Sequence, residues 1–185
     1  MTPYAIGLFI HFLGMVGLFV GYGLEWTASS LLRRSTTSDQ VRSWLRIYRF
    51  SLPVSGPGLL ILILSGGYLA SITGSMKQGW IEAALVGIAF ALGIGFVLVL
   101  PRMKALRAAL PENDAPLSEK GRALVQDPMI VTLIRVRAIL AFGIVYLMTA
   151  KTESLATSLF ILLGSVVVGM LCAATSWSAR ASDKG

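Results

Sequence analysis

One histidine, one carboxylate and one pair of arginines stand where residues of their kind are rare. His11 and Glu25 lie in or at the end of the first apolar stretch, and Arg135 and Arg137 open the fourth. At 100° per residue, Gly7, His11, Gly14, Leu18, Gly21 and Glu25 fall within one narrow sector of a helix. A polar stripe facing lipid is costly, so this sector is expected to face other helices. An imidazole about 10 Å below a helix start needs a hydroxyl, carbonyl, water, carboxylate or metal as partner. Two readings follow: a neutral histidine hydrogen-bonded between helices, or an axial ligand to haem iron. On the second, His11 is the metal ligand. Gly7 and Gly14 would then let a porphyrin plane approach the backbone, and Met15 would pack on the ring. A proton relay or a copper site is a further use of the imidazole, the latter without other soft ligands clustered nearby.

Arg135 and Arg137 precede thirteen uncharged residues before Lys151, about 20 Å of helix. Arg137 is therefore set below the membrane interface. It either snorkels to the headgroups or turns inward to pair with Glu25 or with an anionic group of a ligand. In the haem reading it would stand near the propionates.

The elements that must position these residues are membrane helices. Over 185 residues the chain is 55% hydrophobic and 14% charged, with a mean hydropathy of +0.75, whereas charged residues make up about a quarter of an ordinary soluble domain. Five spans emerge, about 4–25, 53–72, 80–100, 131–150 and 155–176, forming a single all-α membrane bundle from 1 to 185. The first run is longer than a signal-peptide core and has no basic flank, so it is read as a retained helix. Fourteen of the sixteen basic residues fall on one side of these spans; only Lys77 and Lys151 fall on the other. This asymmetry predicts a multi-pass protein of the bacterial inner membrane, N-terminus outside and C-terminus cytoplasmic. It also accounts for the net charge of +7 without nucleic acid. Tyr4, Tyr68, Trp80 and Tyr146 would mark the outer boundary, and Trp26, Tyr48 and Trp177 the inner one.

Between the first two spans, Ser38 or Asp39 is expected to cap a short amphipathic helix. Val41, Trp44, Leu45 and Tyr48 form its apolar face, and Arg42, Arg46 and Arg49 turn to anionic lipid headgroups. Pro53, Pro57, Gly56 and Gly58 weaken the start of the second span. That predicts either a kinked entry or a broken helix of the kind transporters use. Ala83, Gly87, Ala91 and Gly95, then Ser165, Gly169 and Ala173, are stripes suited to close helix packing. They would serve neighbouring helices, a second copy of the chain or a membrane-protein partner. The stretch 102–128 reads as a loop with two short helical pieces and holds no phosphate cradle, catalytic triad spacing or metal cluster. Cys172 is the single cysteine, which excludes an internal disulfide and a paired-cysteine haem attachment.

Leu8-Phe9-Ile10-His11-Phe12-Leu13-Gly14, followed by Trp26, Gly66-Gly67 and Gly79-Trp80-Ile81, resembles an uncharacterised family of predicted bacterial integral membrane proteins over roughly the first 110 residues. More distantly, the first-helix histidine resembles that of copper-resistance membrane domains and of the small membrane protoporphyrinogen oxidase, a haem-binding family. Only His11 carries over: the tryptophan and lysine positions expected of the oxidase are not recognisable, and a fifth span departs from its four-helix plan. The resemblance implies haem b at His11 and a haem-binding or redox-associated role. The alternatives are a non-catalytic assembly or accessory subunit, or a small-solute transporter using the Ser55–Gly58 break. Whether the protein is an enzyme stays open.

Overall fold

Among the described residues, five helices are long and apolar enough to cross a membrane. The computed structural model describes residues 2–111 and 115–181, with side chains through residue 175. The expectations for Trp177, Arg180 and Lys184 therefore lie outside the described residues and side chains. In order, the elements are α1 (Pro3–Leu32), α2 (Ser38–Ile72), α3 (Gly79–Gly93), a π-helical segment (Ile94–Val99), α4 (Leu100–Ala108), α5 (Glu119–Val125), α6 (Pro128–Ala150) and α7 (Leu155–Ala181). Among the described residues there is no strand beyond one isolated bridge, Thr37 to Pro116.

α1, α2 and α6 begin where the sequence supplies a side-chain partner for a free N–H group, whereas α3 follows Gln78 without one. Thr2 caps α1 just before Pro3. Asp127 caps α6 just before Pro128, accepting from the Met129 N–H at 2.9 Å. For α2 the cap is Thr37, one or two residues ahead of the expected Ser38 or Asp39.

α1 and α2 form a tight antiparallel hairpin, and glycine is the reason. A Cβ on Gly14 would lie 2.8 Å from the Gly58 carbonyl oxygen, and one on Gly58 would lie 2.7 Å from the Leu18 nitrogen. Only hydrogen fits at that crossing. The seam read from the first span is borne out: Gly7, Gly14, Leu18, Gly21 and Glu25 are all buried. α6 is the central post, with 61% of its apolar window enclosed against 33% or less in the other four spans. α3 and α7 pack against it through the small-residue stripes. Gly87 lies under Ile144 and Leu162, and Gly169 meets the Val136 backbone. Ala83, Ala91, Leu140, Leu147 and Leu162 close that core. Phe9, Leu13, Leu64, Phe90, Val97, Phe160 and Leu171 face outward, a surface that only acyl chains can cover at acceptable cost.

One expectation about α2 is corrected, and one of the two readings of its prolines is excluded. The amphipathic stretch is not a separate helix on the membrane surface; it is the first third of one 35-residue helix, about 52 Å long. Its apolar side meets protein: Val41 is fully buried with Leu32, Leu106, Leu117 and Val125, and Trp44 and Leu45 pack on them. The arginines do turn away, Arg46 and Arg49 being exposed while Arg42 pairs with Asp39 at 3.6 Å. Nor do Pro53 and Pro57 break the helix, which runs through both with each ring on the exposed side. The prolines still remove two backbone donors. The packed hairpin with α1 holds the segment helical regardless.

Candidate functional site

Where α1, α2 and α6 converge near the basic end of the bundle, the buried polar groups come together. Arg137 turns inward. Its Nη1 donates to Glu25 Oε2 at 2.8 Å, and the two residues are 9% and 4% exposed. The Ser51 hydroxyl, from α2, donates to Glu25 Oε1 at 3.2 Å. The guanidinium carbon stands 5.1 Å from the centre of the Tyr22 ring, a cation–π contact. Its other neighbour is glycine: a Cβ on Gly95 would lie 3.0 Å from Arg137 Cζ. Gly95 belongs to the π-helical segment Ile94–Val99. The extra residue per turn there shifts the backbone beside the arginine, an irregularity that recurs at functional sites.

The ion pair joins α1 to α6 at membrane depth, where an unpaired charge would be costly. Pairing is not complete. The Arg137 Nε is buried without a hydrogen-bond partner, in a fold where such groups almost always have one. Beside the pair is a cavity of about 270 Å³ whose wall includes Glu25, Arg137, Tyr22, Tyr48, Ser51 and Ser55. That space is polar enough and large enough to hold water or a ligand head. Among the described residues no group of three or more metal-ligating side chains occurs.

The companion arginine does different work. Arg135 stacks 4.9 Å from the Trp26 ring and donates to the Cys172 carbonyl, tying α6 to α1 and α7.

His11 lies apart from this centre. Its Nδ1 is 3.0 Å from the Ser65 hydroxyl, and that hydroxyl donates to the Ile61 carbonyl at 2.5 Å. A hydroxyl has one proton to give, so the histidine donates from Nδ1 and its Nε2 holds the lone pair. This is the interhelical hydrogen bond that the unpaired imidazole called for. Gly7 and Gly14, grouped with it as a flat face for a porphyrin, are covered by α2: Gly7 by Tyr68 and Leu69, Gly14 by Gly58 and Leu62. Met15 faces a small apolar cavity of about 60 Å³ between α1, α3 and α6. Arg137, through its partner Glu25, sits fourteen residues along α1 from His11, about 21 Å. The five residues are thus not brought to one place, and they do not fit a single haem pocket.

Sequence reasoning offered the Glu25–Arg137 pair as one option for the arginine and missed what surrounds it. Tyr22 sits beside the polar sector and was hidden by its aromatic type. Tyr48, Ser51 and Ser55 fall on the Glu25 side of α2, at positions 48, 51 and 55. That three-and-four spacing was legible, but it was read separately as interfacial helix and helix break.

A family model described as predicted integral membrane protein, DUF2269, matches residues 6–152. Neither a curated protein nor a solved structure matches the chain. The matched stretch holds α1 through α6, and with them the Glu25–Arg137 pair and the wall around it. The chain belongs to the DUF2269 family of predicted integral membrane proteins.

Proposed function

We propose that this multi-pass membrane protein binds a small molecule at the Glu25–Arg137 centre, in the bacterial inner membrane with its basic end in the cytoplasm. The carrying observation is the buried Glu25–Arg137 ion pair, standing with two tyrosines and two serines in the wall of a cavity of about 270 Å³. A largely apolar space with a few convergent polar groups is the usual form of a small-molecule site. Orientation follows from the arginines gathered at the α1–α2 end.

Native mass spectrometry of the full-length protein in nanodiscs tests the binding reading. The expected result is a reproducible small-molecule adduct on the wild type that is lost in Gly56→Leu. Gly56 lines the cavity and has nothing within 4 Å of an added Cβ, so a leucine there fills the space without disturbing the pair. A wild-type protein free of adduct would overturn the reading.

A further inference from the structure

Resting on that binding reading, we infer that the occupant of the cavity is a neutral, lipid-soluble molecule with a carbonyl-bearing head, entering sideways from the bilayer between α2 and the π-helical segment. Three observations combine. The first is charge. The cavity wall carries one carboxylate and one guanidinium, Glu25 and Arg137, and they are bonded to each other. An anionic or cationic head would add a charge with no counter-charge at membrane depth, where that is most costly. A neutral head adds none.

The second is hydrogen-bonding sense. The cavity wall offers hydroxyl donors from Tyr48 and Ser55. A carbonyl oxygen is a strong acceptor for them that carries no net charge.

The third is access. Leu52 of α2 and Phe96 of the π-helical segment line the cavity, yet are 56% and 54% exposed. They stand at a mouth that opens on the apolar flank of the bundle. Gly56, also on the wall, leaves that mouth wide. Leu18, Leu59 and Leu92 line the interior with apolar surface, which suits the body of a lipid-soluble compound better than that of a water-soluble one.

Thermal unfolding of the full-length protein in detergent, with four probes, tests the inference. The neutral carbonyl probes are decylubiquinone, with ring carbonyls, and dioctanoylglycerol, with ester carbonyls. The charged ones are dodecanoate and dodecyltrimethylammonium. The expected result is a saturable rise in the unfolding midpoint with at least one neutral probe and with neither ion; which neutral probe is stronger assigns the carbonyl to a ring or to an ester. Gly56→Leu should weaken the apparent affinity at least ~tenfold, a change of about 1.4 kcal/mol, and its ligand-free midpoint should not fall. Larger rises with dodecanoate or the ammonium compound would overturn the neutral head while leaving the binding site in place. No rise with any probe, in a wild type that still carries its adduct, would overturn the carbonyl class alone. Rises that Gly56→Leu leaves untouched would place binding elsewhere and overturn the inference.

Discussion

Arg137 and Glu25 show how strongly membrane depth conditions a single contact. Removing one member leaves the other charge buried and alone, a loss of about 3–5 kcal/mol. Glu25→Ala or Arg137→Ala should therefore shift unfolding in an SDS titration far more than the joint change Glu25→Leu with Arg137→Met. If the double variant is as unstable as the singles, the pair's contribution is not mainly mutual neutralisation. The histidine makes a smaller claim. Its side-chain hydrogen bond goes to Ser65, so Ser65→Ala and His11→Ala should each cost about 0.5–1.5 kcal/mol. The two losses should be non-additive in a double-mutant cycle, because they delete the same bond. Additive losses would mean that the imidazole is held by something else.

At the scale of elements, the α1–α2 hairpin depends on glycines in unequal degree, and the distances rank them. An added Cβ meets backbone at 2.8 Å on Gly14 and 2.7 Å on Gly58, at 3.4 Å on Gly17, and nothing within 4 Å on Gly23. Gly14→Ala and Gly58→Ala should loosen the hairpin, read as a large fall in stability. Gly23→Ala should be neutral or gain up to about 1 kcal/mol from helix propensity. An equal response at all four positions would remove the close-packing account. The same comparison explains why the prolines of α2 do not break it. Pro53 and Pro57 lower intrinsic helicity, but Gly58 and Ser55 are pressed against α1. That contact keeps the backbone helical where local preference would let it break. Val41, Trp44 and Leu45 were legible as an amphipathic face. What covers the face was not legible, because α4, α5 and the segment at 115–117 reach it from more than sixty residues away.

The whole molecule is an asymmetric object in a bilayer. Its arginine-rich end, capped by the extension of α2 and by α4 and α5, is expected in the cytoplasm. A Ser75→Cys variant, in the turn between α2 and α3, should react with an impermeant thiol reagent on intact cells. Ser43→Cys, on the exposed side of the α2 extension, should react only after permeabilisation. The reverse pattern would invert the protein and move the Glu25–Arg137 centre towards the outer leaflet. Arg135 and Arg137 illustrate a division made by the packed bundle as a whole. Two residues apart on one helix, they point to different neighbours, one to Trp26 and the Cys172 carbonyl, the other to Glu25 and the cavity.

Composition, charge placement and helical period were enough to specify an all-helical bundle of five membrane spans and the buried sector of α1. Those properties depend on how much apolar surface each segment carries and where it repeats, and both are local. The pairing of Arg137 with Glu25 stood in the sequence only as one of two options, because a side chain of that length can reach either headgroups or interior. The meeting of α1 with α6 decided it, bringing residues 25 and 137 within 2.8 Å. The cavity, its lateral mouth and the unmet Nε came from tertiary structure alone. A void is defined by what several helices fail to fill together, and no single segment records that.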